Sequence, residues 1–357
     1  MENQSQYQKI LIVQTAFIGD VVLTLPLVQE AARFFPKSEL HFLGIPASRN
    51  ILETVPEIKR LWILDKHHRQ KGIIPFLQFV QRIRQERFDL ALVPHRSFRS
   101  AFLVWRGNIP FRIGFDTSSG RFLFTSRVRY QQHIHEIERN LTLLEPFGYR
   151  RERKVFPKIH PTREDREVVS RWLQGQGIRE TDRLVVLAPG SIWPTKRWPA
   201  AYWGKLIFHL YHQGWVPIII GTRDDRFLLP EIQQNSQRSD ILECMGQLTL
   251  RQSAELISRA CLVISNDSAP THLGVAMRVP VLTIFGPTVP SFGFYPYGES
   301  DRVAEISDLS CRPCGIHGGK KCPEKHFRCM RDLKPDQVFH IAQEMLYEHC
   351  SGKSLST

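Results

Sequence analysis

The chain has 357 residues, 42% apolar and 10% aromatic, and a formal charge of +13. That length suits two domains, each able to bury its own core, and the composition excludes a disordered or fibrous protein. No segment offers the roughly 18 uninterrupted apolar residues of a membrane span. Met1 to Lys9 is polar and lacks the apolar core of a signal peptide, so a cytoplasmic setting is expected.

In chain order, the first apolar run is Ile10 to Val13, followed by the turn Gln14-Thr15-Ala16-Phe17-Ile18-Gly19-Asp20 and an amphipathic stretch from Val21 to Phe35. Further strands are expected at His41 to Leu43, Leu61 to Leu64 and Leu90 to Val93, with a helix from Ile74 to Arg87. These belong to an N-terminal Rossmann-like domain over 1–160. An interdomain connection is expected over 161–182, around a helix from Arg163 to Gln174. A second Rossmann-like domain over 183–334 holds strands at Leu184 to Leu187, Val216 to Ile220, Leu262 to Ile264 and Val281 to Phe285, with helices at Pro199 to Gln213 and Leu250 to Arg259. A last helix, Pro335 to Tyr347, opens the tail 335–357, and packing back on the N-terminal domain is one arrangement open to it. This alternation predicts an α/β protein with two parallel sheets whose strands present ligand sites at their carboxyl ends, facing a central cleft.

The turns after strands carry the chemistry. The first has neither a G-x-G-x-x-G fingerprint nor, anywhere in the chain, a G-x-x-x-x-G-K-[ST] loop, which weakens dehydrogenase and P-loop readings. Asp20 at the helix entrance is either an N-cap worth about 1 kcal/mol or a carboxylate placed to accept a proton. The loop Ala188-Pro189-Gly190-Ser191-Ile192-Trp193-Pro194-Thr195-Lys196-Arg197-Trp198-Pro199 sets hydroxyls, a glycine and two cations before a helix, which suits a diphosphate; the plain alternative makes the tryptophans core and Lys196 a solvated charge. Ile264-Ser265-Asn266-Asp267-Ser268-Ala269-Pro270-Thr271-His272-Leu273-Gly274 ends a strand in small polar groups and opens a helix, and Gly286-Pro287-Thr288 follows the next strand. This is either a ligand turn or an ordinary capped turn with a buried histidine.

Together the F-I-G-D turn, the P-G-S-x-W-P-T-K-R-W-P loop and the N-D-S-A-P-T-H-L segment with F-G-P-T resemble the ADP-heptose lipopolysaccharide heptosyltransferases, most of all their heptosyltransferase II branch. The resemblance implies a GT-B fold and an inverting glycosyltransferase, without a catalytic metal, that moves heptose from ADP-heptose to a heptosyl-Kdo-lipid A acceptor. It implies that Asp20 is the general base and that Lys196, Ser191 and Thr195 meet the diphosphate. Asp267, Ser268, Ala269, Thr271 and His272 fall on its donor turn, and Glu243 on a carboxylate that holds the donor ribose.

Two features stand apart from these motifs. Residues 82–166 hold 16 arginines and 2 lysines against 9 acids, a field suited to a polyanion such as a phosphorylated glycolipid or an anionic membrane face, with Arg96 and Arg99 as acceptor candidates. Cys311, Cys314, Cys322 and Cys329 form either a structural zinc site or a group of reduced thiols. Charge and cysteines together motivate a second function, a zinc-stabilised nucleic-acid-binding protein, in which the diphosphate-type loops would have no role. A glycosyltransferase using another nucleotide sugar is the alternative within the enzyme class.

Overall fold

A computed structural model of the protein describes residues 7–350. The polar start of the chain, up to residue 6, and the end of the tail, 351–357, lie outside the described residues. The chain divides after His160 into two compact units.

The first unit runs β1 (Lys9–Val13), α1 (Ile18–Phe34), β2 (Glu39–Gly44), α2 (Arg49–Leu52), β3 (Arg60–Ile63), α3 (Ile73–Gln85), β4 (Leu90–Val93), α4 (Phe98–Arg106), β5 (Phe111–Phe115), β6 (Ser126–Val128) and α5 (Glu136–Leu141). Its sheet has the order β3-β2-β1-β4-β5-β6, with every pairing parallel. β1 lies centrally, Val13 opposite Leu43 on one side and Ile12 opposite Leu92 on the other. Its apolar run is buried because helices cover both faces of a parallel sheet. α1 begins at Ile18, three residues before the expected start, since the backbone is already helical through Gly19 and Asp20.

The second unit runs α6 (Arg163–Gly175), β7 (Leu184–Ala188), α7 (Ala200–His212), β8 (Val216–Ile219), α8 (Leu229–Ser236), β9 (Leu242–Glu243), α9 (Leu250–Ser258), β10 (Leu262–Asn266), α10 (Ala269–Ala276), β11 (Val281–Ile284), β12 (Arg302–Ala304), α11 (Arg328–Arg331) and α12 (Pro335–Cys350). The sheet order β12-β11-β10-β7-β8-β9 repeats the first unit's plan, again all parallel. α6, in the expected connection, packs on α9 within this unit, where a buried ion pair joins Asp165 to Arg251. α12 lays Val338, Ala342, Met345 and Leu346 into the same unit's core, against α7. Trp198 and Trp203 fill that core as well, the Trp198 indole N–H donating to the Leu333 carbonyl at 2.9 Å. Among the described residues no helix is long and apolar enough to cross a membrane.

Candidate functional site

In the second unit the carboxyl ends of β7, β10 and β11 converge. Asp267, just past β10, is buried and accepts from the Lys196 ammonium at 2.5 Å and from the Thr288 hydroxyl at 2.6 Å, both on Oδ2. Lys196 is therefore not a solvated surface charge: its side chain is only 12% exposed, and an ammonium has two further N–H bonds to offer. Asn266 ties the strand to the loop before α7, donating to the Pro189 carbonyl at 2.7 Å and accepting from the Trp198 N–H at 3.1 Å. Gly190 is required where it stands, because a Cβ there would lie 2.4 Å from the Asp225 carboxyl carbon.

The predicted donor residues divide into those at the turn and those behind it. Ser268 caps the start of α10, its hydroxyl donating to the Asn266 carbonyl at 3.2 Å, and Ala269 is the first helical residue. A residue without a long side chain there leaves the helix-opening amides accessible to an anion. Thr271 differs from the expectation: it is fully buried, and its hydroxyl bonds to those of Ser265 at 2.7 Å and Thr283 at 3.0 Å, locking α10 to β10 and β11. His272 is buried, which pushes its imidazole down to about 4, and its Nδ1 has no hydrogen-bond partner among the described residues. A neutral imidazole with an unpartnered nitrogen behind the turn suits a bound group supplying the missing bond.

Ser191 is buried, and its hydroxyl accepts from the Trp193 N–H at 3.3 Å. Thr195 departs from the predicted diphosphate contact. Its hydroxyl donates to the Gly319 carbonyl at 2.9 Å and accepts from the Gly319 N–H at 2.7 Å, so the proton a phosphate would need is committed to the backbone. Glu243 ends β9 and is paired to Arg226 at 2.9 Å while accepting the Met245 N–H at 2.9 Å. Three strand spacings, about 14 Å, separate β9 from β10.

In the first unit Asp20 is the third residue of α1, not its N-cap; Phe17 is the cap, and the Asp20 carboxylate accepts the Phe17 N–H at 3.2 Å. Around it lie Tyr130, Glu136, Arg139 and Arg96. Arg139 is fully buried and ion-paired to Glu136. Burial raises the Glu136 carboxyl to about 7 against the pull of Arg139, and the charge of Asp20 pushes it the same way as burial. Arg96 lies 4.1 Å above the Tyr130 ring. Beside them Thr15 and His95, past the ends of β1 and β4, and Ser100 of α4 are joined by hydrogen bonds of 3.0 to 3.4 Å. Burial, then Lys66 and Arg96, hold the His95 imidazole down at about 4. Arg99 is exposed and stacks 5.6 Å from Phe76. A cavity of about 490 Å³ at β3 is lined by Arg49, Arg60, Arg69, Arg82 and Trp62. Arg112 belongs to none of this, because its guanidinium binds the Ile109, Pro110 and Leu123 carbonyls.

Cys311, Cys314, Cys322 and Cys329 are free thiols. Among the described residues no group of three or more His, Cys, Asp or Glu is arranged to hold a metal ion, so the structure does not assemble the zinc site. Burial raises the Cys329 thiol to about 11 and holds that of Cys314 up as well.

Residues 76–326 match the model of glycosyltransferase family 9 (heptosyltransferase). The chain belongs to that family. This family 9 enzyme is 26% identical to lipooligosaccharide heptosyltransferase 2 of Haemophilus ducreyi over 95% of its own length and 99% of the relative's. Its fold matches a family 9 glycosyl transferase of Veillonella parvula at a TM-score of 0.84 and 23% identity, covering 96% and 98% of the two chains. It matches the ADP-heptose lps heptosyltransferase II of E. coli at 0.76 and 20%, covering 96% and 99%. The fold is therefore of the GT-B type, and the enzyme is a glycosyltransferase of the heptosyltransferase kind. The nucleic-acid reading loses its ground, since the diphosphate-type loops it left idle are part of the family match.

Several groups around the candidate site carry no local signal in the sequence. Thr288 stands in a quoted motif, but its bond to Asp267 spans 21 residues and has no local signal. Arg312, almost fully buried, holds the 286–288 turn through the Gly286 and Thr288 carbonyls and pairs with Glu305 at 2.6 Å. Glu136 and Arg139 read as an ordinary surface pair three residues apart, and only burial reveals them.

Proposed function

We propose that the enzyme transfers heptose from ADP-heptose to the heptosyl-Kdo-lipid A inner core, with inversion, in lipopolysaccharide biosynthesis at the cytoplasmic face of the inner membrane. The observation that carries this reading is the Lys196, Asp267 and Thr288 constellation beside the opening of α10. A cation held by a buried carboxylate next to helix-opening amides is a fixed anion receptor, and it needs no reorganisation as charge develops on a leaving group.

In the proposed reaction the Asp20 carboxylate takes the proton of the acceptor hydroxyl. The acceptor oxygen bonds to the anomeric carbon as that carbon's bond to the diphosphate oxygen breaks, and ADP leaves with the electron pair. Lys196, the Ser191 hydroxyl and the α10 amides receive the charge. Asp267 orients Lys196, and Glu243 receives the ribose: about 14 Å from β10 is roughly the reach of an extended nucleoside diphosphate. Arg96 and Arg99 supply guanidinium forks for acceptor phosphates or carboxylates. No step is assigned to a metal.

The test is a transfer assay with ADP-heptose and purified inner-core acceptors, with and without EDTA. Heptose transfer insensitive to EDTA is expected. Turnover of a different nucleotide sugar in its place would reassign the donor, and absence of transfer with ADP-indifferent, salt-steep duplex DNA binding would overturn the enzyme reading.

A further inference from the structure

Soluble proteins carry scattered apolar residues on their surfaces, but here they gather. Among the largest exposed apolar side chains, Ile73 and Ile74 are 77% and 72% exposed at the start of α3, Phe122 is 70% exposed, and Phe98 and Trp105 on α4 are about half exposed. The aromatic ones are continuous through ring contacts: Phe76 to Phe102 at 6.3 Å, Phe102 to Trp105 at 5.6 Å, Phe98 to Phe102 at 5.9 Å and Phe98 to Phe122 at 6.3 Å. α3 buries Phe79, Val80 and Ile83 and leans partly buried Phe76 on the core, and α4 buries Ser100, Ala101, Leu103 and Val104. The remaining apolar residues have no partner that folding requires.

The same segments are one-sided in charge. Residues 66–135 hold 13 Lys or Arg against three acids, Glu86, Asp89 and Asp116. Arg99, Arg106 and Arg121 are exposed on α4 and on the short turn 121–123 beside the rings. An apolar patch beside a strong excess of cations matches one kind of surface, an anionic lipid bilayer, where rings and aliphatic groups enter the headgroup region and guanidiniums meet lipid phosphates. We propose that the face formed by α3, α4 and the 121–123 turn docks the enzyme on an anionic membrane. The proposal rests on the glycolipid-acceptor reading only for the reason the enzyme visits a membrane.

The experiment is flotation of the full-length protein with vesicles of phosphatidylcholine, alone or mixed with phosphatidylglycerol, with no donor or acceptor present. Binding is expected to the anionic vesicles and to weaken with salt. Loss of a surface cation lowers partition about fivefold, so R106Q with R121Q should bind roughly 25-fold less. I74S with F122S should bind at least about tenfold less, from the apolar burial lost. Circular dichroism and the unfolding midpoint confirm that each variant is folded. Equal flotation of wild type and both folded variants, or no preference for anionic vesicles, overturns the proposal. So does a self-association in sedimentation velocity that F122S removes while flotation stays unchanged, which would make the face a contact between copies. Failure of heptose transfer leaves flotation untouched, so the two readings fail separately.

Discussion

The two halves of this enzyme share a strand order but hold their polar groups in opposite ways. In the second unit Lys196, Asp267, Thr288, Asn266 and Arg312 are fastened to one another or to backbone carbonyls. In the first, Arg96 and Arg99 lie over rings, and the buried pair of Glu136 with Arg139 sits beneath Asp20's charge. A rigid receptor suits a small, invariant diphosphate, whose binding gains from preorganisation. A basic and aromatic surface suits a large amphiphilic partner that presents many weak contacts. The same βα scaffold serves both because its ligand groups come from turns at the strand ends, which change without disturbing the sheet.

The comparison breaks first at Asp20. D20N and D20A should lower kcat by roughly 100-fold to 10,000-fold while ADP affinity, measured by calorimetry, stays near wild type; near-normal turnover in either would remove the base from the first unit. K196A is next: kcat should fall about 100-fold to 1,000-fold, and ADP should bind more weakly. If both stay unchanged, the rigid-receptor half of the contrast is lost.

The third test uses pH and concerns the second unit alone. His272, with an ordinary value of 6.5 held down to about 4 by burial, contributes stability that is complete above pH 6.5 and is lost as pH falls through 4. The full effect is on the order of 3 kcal/mol. Urea unfolding of H272Q at pH 7 and pH 4.5 should show a smaller acid loss than wild type, and an identical loss would mean the imidazole is not held neutral. The smallest effect is expected for R96E with R99E: about a tenfold rise in acceptor KM with donor KM unmoved, and a flatter salt dependence. A donor KM that rises in its place would reverse the assignment of units.

Eight of the twelve strands were legible as short Ile, Val and Leu runs, because a strand covered on both faces must be apolar throughout. The others escaped for a physical reason: β6, β9 and β12 are sheet edges and β5 is next to one, and sequences such as Ser126-Arg127-Val128 and Leu242-Glu243 need little apolar content there. The position of the candidate turn was legible where its residues are consecutive, as with Asp267, Ser268 and Ala269. The hydrogen bonds of Thr271 and Thr195 were not, since a hydroxyl's partner is not written in its own segment. The cysteines gave a spacing, and among the described residues no group of three or more His, Cys, Asp or Glu is arranged to hold a metal ion.

The tie between Thr195 and Gly319 joins residues 124 positions apart, and Gly318 packs so closely that a Cβ there would come within 3.1 Å of the Thr195 hydroxyl and 3.2 Å of the Lys196 side chain. On a ribosome the loop 189–199 is therefore translated long before the segment that braces it. A nascent chain that has emerged only through β11 has both central strands of the second sheet and the lysine, but not the brace. The proposed nucleotide grip is thus completed only once residue 319 has emerged, and a single protease cut between residues 315 and 325 should undo it while leaving the sheet intact.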